Sequence, residues 1–291
     1  MTSYTGRFAP SPTGPLHLGS LVAALGSYLD AKAHSGQWLL RIEDIDPPRE
    51  ITGAKDLILR QLEDHGLCWD GAAIYQSQRL DIYREYFDQL KHNNQLFACD
   101  CPRHRIRDLR GIYDGFCRNR HLDFDSDAAI RVRLAEGDIG WNDLILGKQS
   151  ISSSDLGGDF IVRRRDRLFS YQLAVALDDG LEGITHVIRG ADLLDSTARQ
   201  IYLHQLLGLV SPGYGHLPMV INNQGQKLSK QTHAPALDSD KSGENLALSL
   251  DILGLNPPED ISQSSCEEIL AWGISHWNIN SVPTNPVESS N

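Results

Sequence analysis

Short apolar strands alternating with helix-period segments predict an α/β protein built on a doubly wound parallel sheet, and three features of the 291-residue chain carry that prediction. The first is a β-loop-α-β order over residues 4–42. The second is a renewed alternation of helix and strand over 171–220. The third is an irregular stretch of cysteines and arginines, which reads as an insertion over 66–130 between two halves, 1–65 and 131–240. Residues 241–291 remain as a small C-terminal helical region.

Element by element, Tyr4 to Ala9 is a buried strand, and the Pro/Ser/Thr/Gly cluster from Pro10 to Pro15 is a turn that no helix crosses. Apolar residues at 18, 21, 22, 25 and 29 follow a helical period to Ala33, and His34-Ser35-Gly36 ends that helix. Trp38 to Ile42 is the next strand, so a right-handed crossover is expected. Thr52 to His65 and Arg79 to Asn94 are amphipathic helices, whereas Phe97 to Arg120 loses periodicity. Strands are expected at Ala129 to Leu134, Gly140 to Leu146 and Phe160 to Arg164. Helix Tyr171 to Asp179, strand His186 to Ile188, helix Asp195 to Leu207 and strand Leu217 to Val220 follow. Gly243 to Leu255 and Cys266 to Trp277 are closing helices, and the polar end from Asn278 is expected to fray.

Composition bounds the class. Hydrophobic residues make up 41% and charged residues 22%, ordinary for a globular protein. Neither a leader nor a membrane-spanning run is visible, so a cytoplasmic monomer without membrane contact is expected. A formal charge of -11 argues against indiscriminate coating of nucleic acid, although local basic tracks exist. Six arginines against two aspartates lie between Pro102 and His121, and Arg163, Arg164, Arg165 and Arg167 surround Asp166. Solvated surface charge explains either patch equally well.

Two short stretches some 200 residues apart carry the chemistry: Pro15-Leu16-His17-Leu18-Gly19-Ser20 and Lys227-Leu228-Ser229-Lys230-Gln231. His17 falls where a loop hands over to a helix N-terminus, so an imidazole and free backbone N–H groups meet there, the natural partners of phosphate. Gly19 lets a nucleotide approach the backbone closely. Lys227 and Lys230, with Ser229 between them, supply mobile cations from a polar loop. Taken singly, a histidine at a helix start is most often a cap and KLSK an exposed loop; their co-occurrence in one alternating α/β chain favours a nucleotide site.

Residues RFAPSPTGPLHLGSL resemble the glutamate-specific branch of class I aminoacyl-tRNA synthetases. His17-Leu18-Gly19-Ser20 is similar to that family's HIGH motif and Lys227-Leu228-Ser229-Lys230-Gln231 to its KMSKS motif. The resemblance covers roughly residues 4–240 and implies a Rossmann-type catalytic domain that binds Mg2+-ATP through His17, Gly19, Lys227, Ser229 and Lys230, with His17 and Lys230 catalytic. Ser20 and Gln231 depart from the commonest motif forms. Together with WLLRIEDIDPPRE at 38–50, those departures are similar to the short paralogues of the branch.

A glutamate pocket needs a guanidinium for a carboxylate and an acid for the amine, and Arg7, Glu43 and Arg189 stand at predicted strand ends, with Tyr171 able to add a hydroxyl. The bland alternatives are surface ion pairs and a core aromatic. The resemblance implies that Arg7, Ala9, Ser11, Glu43, Tyr171 and Arg189 line the pocket, with Arg189 on the side-chain carboxylate; the eighteen-residue step from Tyr171 to Arg189 matches the family. Val175 stands where full-length glutamyl enzymes place an asparagine, so one polar contact is expected to be lost.

The five cysteines suit a metal better than a disulfide framework, because Cys99, Cys101 and Cys117 crowd into nineteen residues. Cys-x-Cys closed by a later cysteine fits a structural Zn2+. His104 and His121 are the chemically ordinary fourth ligands; the resemblance implies Tyr113. Only about sixty residues follow Gln231, room for stem-contact-like helices but not for an anticodon-binding domain. The short-paralogue resemblance therefore implies activation of L-glutamate without tRNA, followed by transfer to the cyclopentene-diol of queuosine at the wobble position of tRNA(Asp). Rival readings are an aminoacyl ligase acting on another RNA, a protein or a small molecule, an orthodox tRNA(Glu) synthetase, and a silent RNA-binding paralogue.

Overall fold

The computed structural model describes residues 3–228 and 235–289. Strand β1 (Thr5–Phe8) leads through the proline-rich turn to helix α1 (Leu18–Ala33), where His17 holds the N-cap in extended conformation. Gly36 returns the chain: a Cβ there would lie 2.6 Å from the Tyr4 carbonyl oxygen, so only glycine permits the approach. Strand β2 (Gln37–Ile42) then pairs parallel with β1, and its far end pairs parallel with β3 (Ile74–Tyr75), after helix α2 (Ala54–Asp64). Each helix ends where its apolar period ends.

The second half completes the sheet from the other side. Helix α3 (Leu80–His92) is followed by β4 (Leu96–Cys99), a short helix α4 (Arg103–Asp108), β5 (Ala129–Val132), the hairpin β6 (Asp138–Asp143) and β7 (Gly147–Ser152), and β8 (Ile161–Arg163). Then come α5 (Tyr171–Leu181), β9 (His186–Gly190), α6 (Leu194–Leu207) and β10 (Gly213–Leu217), with β9 and β10 parallel. Gln37 donates its N–H to the Tyr4 carbonyl and Thr185 donates to the Thr5 carbonyl, each at 2.9 Å. Successive carbonyls of a strand face opposite edges, so β2 and β9 flank β1 on its two sides. The sheet order thus reverses at β1, and the crevice opens at the carboxyl ends Phe8 and Gly190, where doubly wound sheets hold ligands.

A separate antiparallel sheet, β4-β5-β8, runs through position 130 and covers α3, α5 and α6 with a core of Phe87, Ile130, Val162, Leu173 and Leu203. The other core joins α1 and the first strands to α7 (Ser242–Ile252) and α8 (Cys266–His276), through Leu25, Leu29, Leu246, Leu250 and Leu270. The closing helices therefore pack as an integral layer on α1.

Several expectations need correction. The strand expected at Gly140 to Leu146 stops at Asp143, which turns the chain by accepting the N–H groups of Ile145 and Leu146. The strand expected at Leu217 to Val220 is broken by Pro218, leaving β10 to end at Leu217 and β11 (Val220–Ile221) to begin later. The aperiodic stretch contains α4. The expected fraying from Asn278 is also overturned: Val282 is buried, and β12 (Val287–Glu288) pairs parallel with β11.

Candidate active site

His17 caps α1 with its ring. Nδ1 accepts the Ser20 N–H at 3.3 Å, so in the neutral ring the proton sits on Nε2. Gly19 makes this possible: a Cβ at 19 would meet the His17 ring at 3.2 Å and the Leu228 carbonyl at 3.7 Å. The cap reading and the nucleotide reading of His17 are thus compatible, since the same residue lines a cleft at the strand ends.

That cleft, of about 740 Å3, lies at the carboxyl ends of the strands and is lined by Arg7, Ala9, Ser11, His17, Gly19, Glu43, Tyr171, Arg189 and Lys227. These are all nine described residues of the expected nucleotide and amino-acid sites. Ser229 and Lys230 lie outside the described residues. Val175 is buried in α5 and is absent from the lining.

The loop bearing Lys227 is anchored on both sides. Leu228 donates to the Val220 carbonyl at 2.8 Å, and Leu237 donates to the Leu16 carbonyl at 2.9 Å. Gln61 of α2 ties the same places together, accepting the Leu16 N–H at 2.8 Å and donating to the Leu237 carbonyl at 3.2 Å. The chain that follows the second motif is therefore tied back to Leu16, one residue before His17. Lys227 Nζ lies 2.6 Å from Asp192 Oδ2.

Beneath the cleft is a buried ionic network. Arg7 gives Nε and Nη2 to the two oxygens of Asp179 at 3.1 and 3.0 Å, so that fork edge is committed within the protein. Arg41 also binds Asp179 and gives Nη1 to Glu182 at 2.7 Å; Arg79, Tyr83 and Gln76 converge on Asp178. Burial opposes the charge on Asp179, but Arg7 and Arg41 outweigh it and hold the carboxyl well below the usual range. Glu43 is different: burial is the largest influence and pushes it up to about 7 despite Arg41 and Arg7. Ser11 Oγ reaches Glu43 Oε2 only at 3.5 Å.

Arg189, at the end of β9, is buried. Its Nη2 donates to Thr197 Oγ1 at 2.7 Å, while Nη1 is buried without a hydrogen-bond partner among the described residues. Arg189 lines the cleft, and a buried guanidinium nitrogen without a partner is suited to a ligand carboxylate. Asp179, Thr197, His216 and Asp143 were not found by sequence reasoning. The legible signal was polar residues inside apolar elements, such as Asp178-Asp179 within α5 and His216 within β10.

The sulfurs of Cys99, Cys101 and Cys117 lie within 4.8 Å of one another, and the Tyr113 hydroxyl accepts the Cys117 N–H at 2.8 Å. Burial and the neighbouring thiols push Cys101 up to about 12, so this thiol keeps its proton unless a bound cation displaces it. Neither His104 nor His121 joins the cluster. The donor set fits a thiolate-loving metal with Tyr113 as the adjacent oxygen. Nearby arginines are less free than the sequence suggests. Arg105 pairs with Asp114, Arg118 with Asp159, Arg120 with Asp100 and Arg164 with Asp46 and Asp166.

Residues 4–248 match the family of the tRNA synthetases class I (E and Q), catalytic domain, and the chain belongs to that family. Among solved structures, a glutamate tRNA ligase from Elizabethkingia meningosepticum, in complex with its amino acid, superimposes with a TM-score of 0.82 at 26% identity, covering 99% of this chain and 67% of that one. The glutamate-tRNA synthetase of Elizabethkingia anophelis gives 0.83 at 26%, covering 99% and 68%. Within the family the chain groups with proteins named glutamyl-Q tRNA(Asp) synthetase. It is 47% identical to that of Pseudomonas paraeruginosa over 99% of both chains. It is 49% identical to that of Ectopseudomonas mendocina, over 97% of this chain and 96% of the relative. It is accordingly a glutamate ligase of the class I synthetase type. No described helix is long and apolar enough to cross a membrane.

Proposed function

We propose that the protein activates L-glutamate with Mg2+-ATP in the absence of tRNA and then transfers the glutamyl group to the cyclopentene-diol of queuosine at the wobble position of tRNA(Asp). The observation that carries this reading is the convergence of His17, Gly19 and Lys227 with Arg7, Glu43, Tyr171 and Arg189 around one cleft. The relatives named for this activity support the acceptor.

In the first step a glutamate α-carboxylate oxygen bonds to the α-phosphorus, the bond to the bridging α-β oxygen breaks, and pyrophosphate leaves. The protein's work is positioning and charge stabilisation. The His17 Nε2–H and the N-terminal amides of α1 face the phosphates from one side. Lys227 approaches from the other, and the motif resemblance assigns Ser229 and Lys230 to the same phosphates. Glu43 receives the ammonium group and Arg189 Nη1 the side-chain carboxylate, with Ala9, Ser11 and Tyr171 closing the walls. In the second step a diol oxygen attacks the acyl carbon, the anhydride bond breaks, AMP leaves, and the hydroxyl proton passes to solvent. Zn2+ held by Cys99, Cys101, Cys117 and Tyr113 would cross-link the arginine-bearing loop.

Two measurements test this. Arg189→Ala should abolish glutamate-dependent ATP-pyrophosphate exchange; near-wild-type exchange would refute the pocket. Labelled glutamate should enter tRNA from cells that make queuosine and not tRNA from cells that cannot. Equal labelling of both would refute the acceptor.

A further inference from the structure

Arg189 does not stand alone. Behind it runs a buried chain of side chains, Thr197 from α6, His216 from β10 and Asp143 from the end of β6, none of which lines the cleft. We infer that Thr197 and His216, anchored by Asp143, position Arg189 so that one guanidinium nitrogen faces the substrate, and that this chain sets the preference for a side-chain carboxylate over the uncharged amide. The inference rests on the assignment of Arg189 to the side-chain carboxylate.

Proton accounting gives the chain its direction. Asp143 Oδ1 accepts the backbone N–H groups of His216, Ile145 and Leu146 at 3.1, 3.1 and 3.0 Å, and Oδ2 accepts from His216 Nδ1. So many donors hold the carboxyl ionised, as its lowered pKa also indicates, despite burial. His216 therefore carries its proton on Nδ1, and burial, the largest influence on it, disfavours a second. Its Nε2 is an acceptor. It takes the Thr197 hydroxyl proton at 2.9 Å and faces Arg189 Nε at 3.4 Å. With that proton committed, Thr197 Oγ1 is left to accept Arg189 Nη2–H at 2.7 Å, and the Leu193 carbonyl lies 3.4 Å from the same nitrogen.

Tyr214 packs its ring 5.3 Å from the guanidinium carbon. Nε and Nη2 are thereby fixed, and the buried Nη1 remains unmatched among the described residues. A charged donor held in one place, with its other edge satisfied, discriminates a carboxylate from an amide because the amide returns no charge and offers a single acceptor.

Thr197→Val keeps the shape and removes both hydroxyl roles. It should raise the KM for glutamate by about tenfold and reduce the glutamate-over-glutamine preference in pyrophosphate exchange by a similar factor, as expected for loss of one hydrogen bond to a charged group. The kcat and the KM for ATP should stay within about twofold, and Thr197→Ser should restore glutamate KM and preference to within about threefold of wild type. Unchanged KM and preference in Thr197→Val would overturn the inference, as would a joint loss of kcat, ATP affinity and melting temperature, which marks a merely structural residue. Arg189→Ala separates the two levels. If it too leaves glutamate exchange intact, the pocket assignment fails; if only Thr197→Val is silent, the positioning chain fails alone.

Discussion

At the residue scale, Glu43 has the sharpest consequence. Burial pushes its carboxyl up to about 7, and in the proposed role of ammonium partner it must be ionised to bind. Binding of glutamate is then linked to loss of that proton. The KM for glutamate should rise roughly tenfold per pH unit below pH 7, while the KM for ATP stays level over the same range. Glu43→Gln should bind glutamate weakly and lose this pH dependence; a variant that kept it would assign the titration elsewhere. Sequence alone put Glu43, Arg7 and Arg189 at strand ends, because a strand end is legible from where an apolar run stops. It could not divide their roles. Arg7 faces Asp179, 172 positions away in the chain, and that partner fixes which guanidinium edge is spent.

At the element scale, the network under the cleft joins β1, β2, α3 and α5. Asp179→Asn removes the anion shared by Arg7 and Arg41 and leaves both buried cations short of charge. A loss of about 3–5 kcal/mol is expected from urea unfolding, the usual cost of breaking a buried pair from one side. The sign with pH follows from the depressed folded-state pKa. Asp179 stabilises the fold above the ordinary carboxylate pKa, and that contribution fades as pH falls toward the lower folded value. The variant should therefore show a flatter acid limb in its stability profile. Helices α1, α2, α3, α5 and α6 were legible from apolar period and breakers. The β6-β7 hairpin was not, because its turn is made by one aspartate collecting backbone N–H groups.

At the scale of the whole molecule, the cysteine cluster and the polar tail show how distant segments complete each other. Metal removal by a chelator should lower the melting temperature and loosen residues 99–117 to proteolysis, with pyrophosphate exchange reduced less than transfer to RNA. Equal melting curves with and without chelator, in protein with measured stoichiometric zinc, would exclude a structural role for the metal. The arginine runs at 103–120 and 163–167 read as strongly basic from sequence. In space, Asp46, Asp100, Asp125, Asp127 and Asp159 come to meet them. The C-terminal residues, polar enough to suggest fraying, are drawn back because β11 offers an open edge to β12.

What the amino-acid sequence determined by itself was local or motif-borne: the alternation of strand and helix, the glycine and histidine at the first helix start, the lysine loop, and the thiol spacing. These depend on residues within a few positions of each other, where backbone geometry and side-chain chemistry act directly. Only the tertiary structure decided that the loop after Val220 is tied to Leu16 through Gln61, that Asp179 occupies one edge of Arg7, and that Thr197, His216 and Asp143 stand behind Arg189. Those are pairings between segments far apart in the chain, and a buried polar group finds its partner through packing of the sheet and its helices, which no local pattern records.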